Sequence, residues 1–217
     1  MTFLRKRKNN NIEPKRRFKS RQFRLGKDRR MQVPMRTQKI IILDRDGVIN
    51  HNLENYIRSP QDWTPIEGSL DAIAELNRNN FTVVIATNQS AINRGYITSD
   101  ILNDIHNKML QELTKHNAKI SKIYVCPHIP EDNCECRKPK IGLLKKIAHD
   151  YDANLKNTIL IGDNFTDIQA GLAAGCVCIL VLTGKGKETM VSNSIPRQVI
   201  IADDLADAVD MITNNYL

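Results

Sequence analysis

Hydrophobic positions fall into two alternating patterns from residue 39 onward. Short, continuous apolar runs rich in β-branched residues read as strands buried on both faces. They are "KIIIL" (39–43), "FTVVIAT" (81–87), "KIYV" (122–125), "TILI" (158–161) and "VCILVL" (177–182). Between them, apolar residues recur at helical spacing. Leu70, Ile73 and Leu76 share one stripe within 68–79. Thr98 can cap a helix that carries Ile101, Leu102, Ile105, Met109 and Leu113. Further helices are expected near 141–150, 166–174 and 205–213. Strands alternating with helices predict an α/β fold, a doubly wound parallel sheet, with no stretch long enough for a large cap domain.

Residues 1–38 lack this periodicity and are expected to form a basic, disordered tail ahead of a single domain spanning 39–217. Charge makes the division sharper. The net charge of the 217 residues is +8, yet residues 1–39 hold 15 Lys and Arg against Glu13 and Asp28, a net of +13. The other 178 residues hold 17 Lys and Arg against 22 Asp and Glu, a net of −5. An acidic domain therefore carries a basic arm. The arm suits nucleic acid or an anionic surface; it equally suits a functionless extension, or a start upstream of Met31 or Met35. No run of 18 apolar residues predicts a membrane span, and no apolar segment follows the basic N-terminus as in a secretory signal. A cytoplasmic location is expected, where the five cysteines stay reduced and clustered ones serve as metal ligands.

Three strand ends are chemically loaded, and ligands of open α/β sheets bind outside the carboxyl ends of strands. The first ends in "DRDGVIN" (44–50), where Asp44 and Asp46 can face one side and Gly47 allows a sharp turn. The second ends in "TNQS" (87–90), and the fourth in "GDNFTD" (162–167), with Asp163 and Asp167. Any one such Asp is ordinarily a turn or cap residue, and Asp167 suits a helix cap as well as a site. Convergence of several is different: the carboxylates repel one another, and a hard cation such as Mg²⁺ offsets this. Mg²⁺, a carboxylate nucleophile, a hydroxyl donor and a Lys meet the needs of phosphoryl transfer.

The segment "CPHIPEDNCECRKPK" (126–140) puts Cys126, His128, Cys134 and Cys136 within eleven residues. Four protein ligands fill a tetrahedral Zn²⁺ shell and leave no place for a reactive water, so the expected zinc is structural. Such a loop has few apolar anchors, and zinc is expected to cross-link it and aim Arg137 and Lys138. Cys176 and Cys178 lie in an apolar strand and read as small buried hydrophobes.

Taken in order, "DRDGVIN", "ATNQS", "CRKPK" and "GDNFTD" resemble the four motifs of the haloacid-dehalogenase phosphatases, over about residues 40–190. The resemblance implies that Asp44 is the nucleophile and Asp46 the general acid and base. It implies that Thr87 and Lys138 hold the phosphoryl group. Asp44, the backbone carbonyl of Asp46, and Asp163 would bind Mg²⁺. More finely, "NQSAINRGYIT" and "CPH…C.CRKP" resemble the D,D-heptose 1,7-bisphosphate 7-phosphatases of lipopolysaccharide precursor synthesis. This implies a substrate site formed by Asn52, Leu53, Glu54, Asn55, Tyr56, Asn88, Gln89, Ser90, Arg94, Arg137 and Asn164. Arg58 and Lys140 are further candidates for a second phosphate. Ala91 departs from the family's Gly; a left-handed turn there would strain its Cβ by about a kcal/mol.

A small sugar phosphate as substrate and a monomeric chain are thus expected. Three alternatives remain at this point. They are a histidinol-phosphate phosphatase, a nucleic-acid 3′-phosphatase using the basic arm, and a noncatalytic binding protein of the same fold. The negative domain speaks against the second, and an intact nucleophile against the third.

Overall fold

A computed structural model describes Thr2 and residues 39–214 of the chain. The expected tail, 1–38, lies outside these apart from Thr2, and residues 39–214 belong to the unit Arg36–Leu217.

Six parallel strands form one sheet among the described residues: β1 (Ile40–Leu43), β2 (Thr82–Asn88), β3 (Lys122–Cys126), β4 (Ile159–Gly162), β5 (Val177–Val181) and β6 (Ile200–Ala202). Their order across the sheet is β3-β2-β1-β4-β5-β6. Every residue of β1 is buried, as a central parallel strand covered on both faces requires. Among the described residues the α-helices are α1 (Ser69–Arg78), α2 (Ser99–Lys115), α3 (Gly142–Tyr151), α4 (Phe165–Ala174), α5 (Gly186–Ser192) and α6 (Leu205–Thr213).

The sheet separates two apolar layers, because successive strand side chains point to opposite faces. Ile41 and Leu43 face the layer that holds α1, α2 and α6 residues such as Ile73, Ile105 and Val209. Ile40 and Ile42 face the layer of Leu144, Ile147, Ile168 and Cys178. Cys176 and Cys178 are thus core residues, as their strand context predicts.

The expected elements are present within a few residues of the forecast bounds. Thr98 caps α2 by accepting from the Ile101 amide at 3.2 Å. Among the strands and α-helices, two were not anticipated. β6 is only three residues long, and α5, "GKETMVS", has no apolar stripe to announce it. Strand order reverses between β1 and β4, and there the crevice opens at the carboxyl ends.

Candidate active site

Asp44 follows directly on β1, and its amide donates to Ile161 O at 2.9 Å, locking this strand end to β4. Asp163 follows β4 directly, and Asp167 sits in the first turn of α4. Carboxylate oxygens of Asp44, Asp163 and Asp167 lie within 4.8 Å of one another. Lys138, only 3% exposed, reaches this cluster from the loop after β3. Its Nζ lies 2.9 Å from Asp44 Oδ1 and 2.5 Å from Asp167 Oδ1, and it donates to Ala86 O at 2.7 Å.

The crowding shows in the proton equilibria. Burial, reinforced by Asp167 and Asp44, pushes the Asp163 carboxyl well above the ordinary carboxylate range. Burial also raises Asp44, against the pull of Lys138. For Lys138, burial disfavours the charge, but Asp167 and Asp44 more than offset it and raise the pKa. One ammonium is too little for three carboxylates in so small a volume. A hard divalent cation fits this donor set of Asp44, Asp163 and Asp167.

Asp163 is held from several sides. Lys185 N donates to its Oδ2 at 2.7 Å, and Thr189 Oγ1 donates to its carbonyl at 2.9 Å. A Cβ on Gly47 or on Gly184 would collide with its carboxylate, and both glycines have positive φ, 84° and 53°. Thr183 Oγ1 donates to Gly47 O at 2.6 Å and joins these two close approaches. Asp167 combines both roles weighed for it. It completes a capping box with Asn164, accepting from the Asn164 amide at 3.1 Å, and it anchors Lys138. Asn164 Oδ1 is occupied by the Thr166 amide at 3.1 Å, so its side chain serves as the N-cap of α4.

Asp46 is 23% exposed at its side chain. Arg45 Nη2 donates to both of its oxygens at 2.8 Å, Asn50 Nδ2 to Oδ1 at 2.9 Å, and Gln89 Nε2 to Oδ2 at 2.8 Å. Burial acts to raise this carboxyl, but Arg45 and the two amide donors prevail and hold it below the usual range. Gln89 Nε2 also donates to Thr87 Oγ1 at 2.9 Å, so Thr87, Gln89 and Asp46 form one network.

In the Cys-rich loop the four ligand atoms gather as expected. Sγ of Cys136 lies 3.2 Å from Cys126, 3.4 Å from Cys134 and 3.3 Å from His128 Nδ1; Cys126 Sγ lies 3.6 Å from both Cys134 Sγ and His128 Nδ1. A tetrahedron about zinc with ~2.3 Å bonds has edges of about 3.7 Å, so the donors suit that ion with little adjustment. The three cysteines are free thiols. Arg137 Nη1 donates to His128 O at 2.9 Å, and Lys140 Nζ to Asn133 O at 2.8 Å while pairing with Glu135. Both cations therefore brace the Cys-rich loop. Asn93 Nδ2 donates to Asp132 Oδ2 at 2.5 Å and ties the loop to the segment after β2.

A cleft of about 700 Å³ lies beside Gly184, lined by His51, Asn52, Leu53, Glu54, Tyr56, Lys185 and Glu188. An adjoining depression of about 710 Å³ shares Leu53, Glu54 and Tyr56 and adds Asn55, Arg58 and Asp62. The segment 52–56 lines these two depressions. Tyr56 has φ 62°, a conformation rare for a bulky residue. Its ring packs 5.4 Å from Tyr96, over which the Arg58 guanidinium stacks at 4.4 Å. Ser90, Arg94 and Arg137 do not line either depression. The strain expected at Ala91 does not arise: its backbone is not left-handed, and Ala91 is fully buried with its carbonyl accepting from Tyr96 N at 2.9 Å.

The sequence reading missed Arg45, Asn50, His106, Thr183 and Lys185. His106 was legible, since it shares the α2 stripe of Leu102, Met109 and Leu113 and is buried with them.

Fold and site together define a hydrolase of the haloacid-dehalogenase type, and residues 135–208 match the HAD-hydrolase-like family model. The chain is 41% identical to D-glycero-beta-D-manno-heptose-1,7-bisphosphate 7-phosphatase of Bordetella bronchiseptica over 174 residues, 80% of this chain and 97% of the relative. It is 41% identical to the alpha-anomer enzyme of Campylobacter jejuni over 150 residues, 69% of this chain and 86% of that one. The crystal structure of the B. bronchiseptica D,D-heptose 1,7-bisphosphate phosphatase, complexed with magnesium and phosphate, superimposes with a TM-score of 0.80 at 41% identity. It covers 82% of this chain and 99% of that one. The chain belongs to the D-glycero-D-manno-heptose 1,7-bisphosphate 7-phosphatase family.

Proposed function

We propose that the protein removes the 7-phosphate of D-glycero-D-manno-heptose 1,7-bisphosphate, in the synthesis of heptose precursors of lipopolysaccharide. The observation that carries this reading is the buried Lys138 bridging Asp44 and Asp167 beside Asp163, in a chain whose relatives bear this activity in their names. Asp44 and Asp163, with the Asp46 carbonyl, are the residues that would hold Mg²⁺; when bound, the ion neutralises phosphoryl oxygens as negative charge gathers.

Asp44 attacks phosphorus through a carboxylate oxygen, and the bond from phosphorus to the sugar oxygen breaks. Asp46 gives its proton to that oxygen, so the sugar leaves as an alcohol. Asp46, now a carboxylate, takes a proton from water as the water oxygen attacks phosphorus. Inorganic phosphate departs and Asp44 is restored. Lys138 and Thr87 hold the phosphoryl oxygens throughout. The sugar lies along 52–56, and a second phosphate meets Lys185 or Arg58 at the cleft. Zinc on Cys126, His128, Cys134 and Cys136 is structural, its shell being complete. Five free thiols suit the reducing cytoplasm.

Phosphate release from a panel of sugar bisphosphates, histidinol phosphate and DNA 3′-phosphate ends, with and without Mg²⁺, tests the proposal. Mg²⁺-dependent release from the heptose compound well above the others is expected. Preference for another sugar bisphosphate, for histidinol phosphate or for DNA ends would reject it.

A further inference from the structure

Arg45 is 1% exposed, and its guanidinium is surrounded by protein. Beyond its contacts with Asp46, Nη2 donates to Gln89 Oε1 at 3.0 Å, and Nη1 lies 3.2 Å from His106 Nε2. A buried guanidinium needs one counter-charge, which Asp46 supplies; its remaining N–H groups need neutral acceptors. His106 provides one from α2, 61 residues away in sequence. The geometry assigns Nε2 as acceptor, which requires a neutral ring with its proton on Nδ1. Burial, helped by the Arg45 charge, lowers the His106 pKa to about 4, which keeps the ring neutral near pH 7.

We propose that His106 is a positioning residue for proton transfer: by accepting from Arg45 Nη1 it fixes the guanidinium, and so fixes where the Asp46 carboxylate waits. This rests on the reading of Asp46 as acid and base. The network holds Asp46 as a carboxylate with five short contacts, from Arg45, Asn50 and Gln89. The same contacts fix where its oxygens stand both when the carboxyl gives its proton to the leaving sugar oxygen and when the carboxylate takes one from water. Without an acceptor at His106, Nη1 is left unsatisfied, and the guanidinium turns to regain a partner. The Asp46 carboxylate follows, because Arg45 grips both its oxygens.

The leaving group separates this role from a purely structural one. A sugar alkoxide needs a proton as it departs; a nitrophenolate does not. In the His106→Leu protein, kcat/KM for alkyl phosphates is expected to fall at least about ten-fold, part of the 10²–10⁴ a general acid supplies, with nitrophenyl phosphate much less affected. His106→Gln puts an oxygen near the Nε2 position and should recover most of the alkyl activity, whereas His106→Asn is too short to do so. Equal losses on both substrate classes, or a Gln variant no better than Leu, overturn the proposal. If the Leu protein does not fold, the Gln-to-Asn ratio on alkyl against aryl phosphates decides alone. Simple alkyl phosphates are assayed beside the heptose bisphosphate. A wild-type enzyme silent on heptose but active on them removes the proposed substrate, and the His106 comparison is then read on the alkyl ester.

Discussion

Asn88 and Lys138 exchange two hydrogen bonds: Asn88 Nδ2 donates to Lys138 O, and Lys138 N donates to Asn88 Oδ1, each at 3.1 Å. The last residue of β2 therefore clamps the backbone of Lys138, the residue proposed to neutralise the phosphoryl group. The Cys-rich loop was expected to aim Lys138 through its metal. In the structure the sheet shares that work, and Arg137 ties the clamp to the loop through His128 O.

On the proposed mechanism Asn88 is expected to act on catalysis through Lys138. Asn88→Ala is expected to lower kcat by about ten-fold or more with a smaller effect on KM, because a misplacement near 1 Å can cost 10²-fold. Steady-state kinetics on the heptose bisphosphate check this. A rise in KM alone would mean that Asn88 contacts substrate instead.

Zinc removal should act on the same residue from the other end. Cys134→Ser, or chelation, is expected to release the metal and lower kcat/KM while β2 and its Asn88 clamp persist. Metal analysis alongside kinetics reads both. Loss of zinc with unchanged kcat/KM removes the loop from catalysis.

Lys138→Ala should slow turnover by orders of magnitude, since it strips charge from the reacting group. It also leaves Asp44 and Asp167 buried without their cation, and breaking a buried pair in this way costs roughly 3–5 kcal/mol. Mg²⁺ should restore part of that stability in thermal melts. Near-normal turnover would remove Lys138 from the mechanism.

His106 makes stability depend on pH. Its pKa falls from 6.5 to about 4 on folding, so between these values the unfolded chain binds the extra proton. The contribution is therefore fully present above pH 6.5 and is lost as pH falls toward 4. At 1.36 kcal/mol per unit the span amounts to roughly 3 kcal/mol. Denaturant melts of the wild type and His106→Gln across that window should show the wild type losing more stability on acidification. Parallel curves would contradict a depressed His106.

The sequence disclosed the strand ends well, because Asp44, Asp163 and the Cys126–Cys136 cluster are local in sequence and unusual in type. It disclosed less of what joins them. Arg45 stands inside a motif read for its carboxylates, and its partners Gln89 and His106 come from β2's end and from α2. Such pairings depend on how elements pack, which no local pattern encodes. Asn88 and Arg137 were expected at the substrate from the family resemblance, and Lys140 only as a candidate for a second phosphate; each also bonds to backbone, a contact that no local pattern announced. Ala91 shows the converse: a departure from the family's Gly carries no strain, since this turn keeps ordinary φ at that position.

On the proposed function, Asp44 serves a phosphatase that removes one particular phosphate from a heptose bisphosphate. Phosphorus NMR of D-glycero-D-manno-heptose 1,7-bisphosphate during turnover with Mg²⁺ tests it most directly. The account predicts that the C7 phosphate signal converts to inorganic phosphate while the C1 signal persists, and that Asp44→Asn abolishes the conversion. Release of the C1 phosphate, or undiminished turnover by Asp44→Asn, would contradict it.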